Sequence, residues 1–265
     1  MRGGWVRPLA LPRWWGGTPV IALLGAFACA AALFGTRVLG QTSGATHEGV
    51  GQVTHLSGTL TVRRADGATR FLSVKSGIVE GDTLVTAQST YARLKFADGS
   101  EIVLRPDSQM KVDQFKYENT KPEADNMLVS LLKGGMRSVT GLLGKRSRDK
   151  VAFATPNATI GIRGTHFGAL LCQSDCAAIP TPAGGPPPNG LHLDVLDGSV
   201  AVRNNAGQQI LNAGQFGYVR DTSTPPAVVP AQQGIIVTMP VAISRNAGAG
   251  ATVGKGRNDN ECAIP

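Results

Sequence analysis

The side chains that could do chemistry in this 265-residue chain are few and scattered. None of its four histidines, His47, His55, His166 and His192, lies in a Gly-x-Ser-x-Gly or His-Glu-x-x-His arrangement. Asp194 and Asp197 form a carboxylate pair of the kind that runs acid–base chemistry, but Asp197 opens an Asp-Gly step, where turn acidity is ordinary. No glycine-rich turn is followed by Lys-Ser or Lys-Thr, so a phosphate loop is not expected. Cys172 and Cys176 lack the second pair that a zinc site needs. A Cys172–Cys176 disulfide is the expected pairing, with Cys262 left free or paired between chains. The expectation is a non-enzyme with no catalytic residue, metal or cofactor. Arg163 stands out, in the run Thr155 to Phe167, between Ile162 and Gly164. Its guanidinium either turns into a polar network and holds carbonyls, or faces a ligand or partner with Gly164, Thr165 and His166.

The surrounding pattern has a period of two. In Tyr91 to Phe96, Ala92, Leu94 and Phe96 fall on one face and Arg93 and Lys95 on the other, as in a half-buried strand. Asp66-Gly67, Asp98-Gly99 and Asp197-Gly198 each separate alternating runs and read as hairpin turns. Met110 to Asp113, Val151 to Phe153 and Thr165 to Leu171 supply further strands, and Gly161 and Gly164 predict a kink around Arg163. Leu128 to Leu132 reads as a strand closed by Gly134-Gly135. His55 to Arg63 parallels Val195 to Arg203, a faint repeat. The chain is predicted all-β: one domain of short strands and tight turns, a β-solenoid or sandwich-like, with an N-terminal hydrophobic helix.

Residues 1–40 read as a signal peptide or a membrane anchor. Between Arg13 and Arg37 there are 23 uncharged residues, mostly apolar, behind a basic start. Cleavage after Gly40 would leave Gln41 as the first residue; retention would leave an anchor. Both put the body across the membrane, where cysteines oxidise. Cys29 is a poor lipidation site, because Phe27 stands where a small residue is wanted. Without Arg2, Arg7, Arg13 and Arg37, 22 basic residues face 18 acidic ones, a net of +4 rather than +8. That mild charge, with no aromatic residues among Lys145 to Lys150, excludes a nucleic-acid groove. The basic run is expected to be a solvated loop or a contact for an acidic envelope polymer or lipid. Residues 41–221 form the β domain, with 172–190 a Pro/Gly-rich inserted loop. Residues 222–265 are a largely irregular tail, in which Ile235 to Met239 can dock as a last strand.

The run Thr155-Pro156-Asn157-Ala158-Thr159-Ile160-Gly161-Ile162-Arg163-Gly164-Thr165-His166-Phe167 resembles the signature of FecR-type periplasmic domains. Gly81 to Thr86, Ala92 to Leu104, Leu131 to Gly135 and Val139 to Gly141 resemble that family in the same order, over about residues 50–220. The resemblance implies a periplasmic module for sensing, signalling or protein interaction, with an envelope protein as partner. In the best-known branch it implies relay to a sigma factor. The dozen residues before the hydrophobic segment are too few for that branch's cytoplasmic region. A carbohydrate- or peptidoglycan-binding module is the alternative, with few aromatics to stack on sugars.

Overall fold

The computed structural model describes residues 49–240 and Ile243. The expected signal or anchor at 1–40, Cys262 and the tail from 244 lie outside the described residues. No helix among the described residues is long and apolar enough to cross a membrane.

Among the described residues the alternating apolar residues form fifteen strands. They are β1 (Gly51–Ser57), β2 (Leu60–Arg63), β3 (Thr69–Leu72), β4 (Gly77–Ile78), β5 (Thr83–Thr86), β6 (Tyr91–Phe96), β7 (Glu101–Leu104) and β8 (Gln109–Lys116). The series continues with β9 (Asn126–Val139), β10 (Val151–Ala154), β11 (Thr159–Cys172), β12 (Gly190–Asn204), β13 (Gly207–Asn212), β14 (Phe216–Val219) and β15 (Ala227–Val229). The one α-helix among the described residues is α1 (Leu142–Arg146).

All fifteen strands belong to one sheet, folded over into two rows. The first row runs β3, β2, β5, β8, the start of β9, β10, the start of β11, the end of β12, then β13. The second runs β4, β1, β6, β7, the end of β9, the end of β11, the start of β12, then β14 and β15. Every pairing is antiparallel except β9 with β10. Strands β9, β11 and β12, of 14, 14 and 15 residues, belong to both rows, so the expectation of uniformly short strands is corrected. The sheet is therefore mostly β and mixed, with the core between its rows. Phe153 of the first row meets Phe167 of the second edge-on at 5.2 Å, and Phe115 stacks on Phe96 at 5.4 Å. Such fully buried side chains each contribute about 1.5–3 kcal/mol.

Except between β9 and β10, where α1 carries the crossing, the chain changes row where its backbone turns to positive φ. Gly58, Lys75, Gly81, Ser89, Asp107, Gly134, Gly164, Gly198 and Gly214 each stand at a crossing. Asp66-Gly67 and Asp98-Gly99 make the expected hairpins, β2–β3 and β6–β7. Asp197-Gly198 does not: β12 runs straight through it and crosses rows, opposite the kink in β11. Gly134-Gly135 likewise carries β9 onward instead of ending it. The basic run 145–150 is not a loop either, since Lys145 and Arg146 close α1 and Arg148 to Lys150 form a 3-10 turn. Arg146 forks onto Asp125 through Nε and Nη2, both at 2.8 Å, and lies 4.6 Å from the centre of the Tyr117 ring. That fork holds the Asp125 carboxyl below the usual carboxylate range.

Candidate functional site

The kink at Arg163 is built from two facing glycines. Gly164 has φ +63° and Gly198 φ +73°, and a β-carbon on Gly198 would strike the Gly164 carbonyl oxygen. Both conformations favour glycine, and at Gly198 the space also admits nothing larger. Register slips here on both sides of His166. Thr165 is buried in the bulge and fully committed: its Oγ1 accepts from the Arg163 N–H and donates to the Ser199 carbonyl. Its own N–H donates to Thr140 Oγ1, and its carbonyl accepts from Thr140 N and Oγ1. The Arg163 side chain is exposed and makes no hydrogen bond or ion pair among the described residues. The four residues singled out in the sequence therefore do not converge: Arg163 faces solvent, Thr165 stitches the bulge, and His166 lies half-buried against Arg137.

Nor does Arg163 stand beside the 172–190 loop. Arg163 and Cys172 are nine residues apart on β11, roughly 30 Å at about 3.3 Å per residue. The loop is tied to the sheet rather than free. A Cys172–Cys176 disulfide closes its base. Buried His192 donates from Nε2 to the Pro188 carbonyl at 2.8 Å, and Tyr218 Oη donates to the Asn189 carbonyl at 2.6 Å. Burial pushes the His192 pKa down, so the ring is neutral while it bridges β12 to the loop. A cavity of about 260 Å³ lies under the loop, lined by Thr181, Pro186, Pro188, His192, Tyr218 and Gln232 among others.

The most elaborate polar arrangement is on the outer face of the second row, where β9, β11 and β12 run side by side. Arg137 on β9 pairs with Asp194 on β12 at 2.7 Å, both nearly buried. Arg137 Nε and Nη2 also donate to the Val237 carbonyl at 2.9 and 2.7 Å, and Val237 N–H donates to Asp194 Oδ1 at 3.2 Å. The pair thus grips both polar groups of one residue in the segment 234–240, which lies over the face. Ile235 and Val237 pack on Leu170, Cys172 and Cys176 in a cluster separate from the main core. Gly168 makes the approach feasible, since a β-carbon there would collide with the Asp194 carboxylate and lie 2.6 Å from Val237 Cβ. Residues Ile235 to Met239 dock as expected but not as a strand, because no backbone bond joins them to a row.

His166 completes the face, with Nε2 3.4 Å from Arg137 Nη1. Burial, then the Arg137 charge, push its pKa down, and Asp194 and Asp197 oppose them. A neutral ring with an open Nε2 lone pair accepts from Arg137; a protonated one would set two cations together. Arg93, read from the alternation as solvent-facing, is buried here instead, because the 234–240 segment and Ile243 cover the face. Among the described residues no group of three or more His, Cys, Asp or Glu side chains could hold a metal ion. Sequence reasoning missed Arg137, Gly168 and Arg93 and set Asp194 aside as turn acidity. The available signal was Gly168, a lone glycine inside an apolar strand run, which marks close approach by another backbone.

Comparison with known proteins bears on this framework. The family described as FecR protein matches residues 82–201, from the edge of β5 into β12, which takes in Arg137, His166, Gly168 and Asp194. No curated protein matches the chain. Two crystal structures of a "putative anti-sigma factor" from Parabacteroides distasonis ATCC 8503 are similar at 16% and 17% identity, with a TM-score of 0.40 for each. They cover 56% of this chain, which in turn spans 58% of theirs. A structure described as a cell surface anchoring domain is 33% identical over 23% of this chain and 80% of its own, with a TM-score of 0.23.

Proposed function

Because this chain carries a FecR domain over residues 82–201, we propose that it is a non-enzymatic protein-interaction module of the bacterial cell envelope, serving sensing or signalling. The observation that carries this reading is the Arg137–Asp194 pair, which holds an extended peptide by its backbone on an outer sheet face. Residues 1–40 would deliver the domain across the inner membrane, either cleaved near Gly40 or kept as an anchor, and the Cys172–Cys176 disulfide suits that oxidising side. Arg163, exposed at the row crossing with no partner among the described residues, is a further contact for an acidic partner group.

The test is affinity capture from envelope extract in parallel with sedimentation on purified cell-wall sacculi. The expected result is saturable capture of particular proteins, weakened by Arg137→Ala, with no retention on sacculi. Retention on sacculi without protein partners would favour the second reading, a carbohydrate-binding module. That reading draws on the cavity beneath the 172–190 loop, where Tyr218 offers a ring tilted 32° against His192 at 4.9 Å and Gln232 offers an amide.

A further inference from the structure

Segment 234–240 lies on a face built for more than it supplies. Its side chains alternate: Ile235 and Val237 are buried, Ile236 is 58% exposed, and Met239 is half-buried. Because Arg137 and Asp194 hold the backbone of Val237, they are indifferent to the side chain there, except that Gly168 keeps the floor flat. Side-chain discrimination falls on three inward positions: Val237 itself, buried in the apolar cluster, and the positions two before and two after it. The seat for Ile235 is closed and apolar, formed by Leu170 and the disulfide. The seat for Met239 is apolar in part, through Val103, Val139 and Ile243, but charged side chains also stand in its wall. Met239 lines, without filling, a cavity of about 100 Å³ that Arg93, Arg137, His166 and Glu101 also line.

Arg93 is 3% exposed, and its guanidinium makes no hydrogen bond among the described residues. Nε and Nη2 are both buried without a partner, and the nearest carboxylate, Glu101 Oε2, stands 3.9 Å from Nε, beyond hydrogen-bonding distance. A buried guanidinium left unbonded is strongly unfavourable, and its fork matches a carboxylate. Asp194 already meets the Arg137 charge, so what the cavity lacks is an acceptor close enough to bond Arg93, which Glu101 at 3.9 Å does not supply.

We propose that this face receives an extended segment of a partner protein with apolar side chains at two alternate positions and an acidic one at the third. Residues 235–239 occupy it in cis as a weaker stand-in. The apolar pair takes the places of Ile235 and Val237, and the acidic side chain takes that of Met239 and bonds Arg93. The proposal rests on the protein-interaction reading and specifies the chemistry of its partner.

The test uses the full chain carrying Val237→Pro, which cannot donate to Asp194 and so loosens the segment, although its carbonyl can still accept from Arg137; Val237 is outside the main core. Fluorescence anisotropy follows two labelled peptides, one copying residues 233–240 and one with glutamate replacing Met239. The expected result is binding of both, the glutamate peptide at least tenfold tighter, and loss of that margin when Arg93→Leu is added. Equal affinities, a margin that survives Arg93→Leu, or no binding by a chain whose circular dichroism shows it folded would each overturn the proposal. Should Val237→Pro unfold the chain, Met239→Glu in the intact protein decides: slower amide exchange at Val237 that depends on Arg93 supports the proposal, and unchanged exchange overturns it. Envelope proteins captured by the chain but displaced by neither peptide would overturn this proposal while leaving the interaction-module reading in place.

Discussion

The two glycines at the kink bear different loads. Gly198 has both a positive φ and no space for a β-carbon, whereas around Gly164 nothing lies within 4 Å of one. Gly164→Ala should therefore cost only the conformational term, about 1–2 kcal/mol. Gly198→Ala should cost clearly more, because the Gly164 carbonyl must also move. Urea denaturation of the two variants checks this, and equal losses would mean that the strands separate freely at the bulge. The kink itself was legible in the sequence, since glycine on either side of Ile162-Arg163 breaks a β-branched run. The fate of Asp197-Gly198 was not. An Asp-Gly pair encodes readiness for positive φ, and that serves a reversal or a row crossing equally well. Which one forms depends on whether β12 finds β11 on both sides of the step, a long-range fact. Arg93 was misplaced for a related reason: alternation assigns a face, but not what a distant segment later lays over it.

At the scale of elements, the loop base and the 234–240 segment form one small cooperative unit. Cys172 and Cys176 join Leu170, Ile235 and Val237 in a cluster of their own, with Ile179 and Met239 at its rim. The disulfide closes a short loop, with a sequence separation of 4, so the chain-entropy estimate gives about 2 kcal/mol. Reduction, or Cys172→Ser with Cys176→Ser, should lower stability by about that amount. It should speed amide exchange in residues 172–190 and 235–239 before the main core responds. Mass-resolved exchange checks the order, and uniform acceleration across β6, β7 and β9 would show that the unit is not separate. The repeat of His55 to Arg63 in Val195 to Arg203 also belongs to this scale. In both copies the chain passes from the second row to the first at a glycine of positive φ, Gly58 and Gly198. The sequence showed the similarity. It could not show that one copy is two strands and the other a single one, because that depends on the partners each half meets.

For the whole molecule, one buried and one half-buried histidine link stability to pH. His166 and His192 are both held below their ordinary pKa by burial. The unfolded chain takes up their protons near pH 6.5, before the folded chain does. Their contribution is complete above about pH 6.5 and is lost as pH falls below it toward the depressed folded values. The loss is at most about 1.4 kcal/mol per histidine per pH unit. Denaturation midpoints at pH 7.5 and 5.5 check the sign, and His166→Gln with His192→Gln should flatten the difference. Greater stability at pH 5.5 would refute it. The second row is also guarded at its ends: among the described residues it stops at β4 and β15, of 2 and 3 residues, too short to recruit a neighbouring strand.

The grip on Val237 also has a mechanical side. Strands within the rows share load across several parallel hydrogen bonds. Segment 234–240 is fastened at one residue, with no ladder behind it. Tension applied beyond Pro240 would meet hydrogen bonds at Val237 alone, backed only by the apolar packing of Ile235, Met239 and Ile243. The segment would peel away at a force far below the one that opens the sheet, baring Arg137, Asp194 and Leu170 while both rows stay intact. A domain fastened in this way would answer a pull on its C-terminal side as a latch, leaving its fold undisturbed.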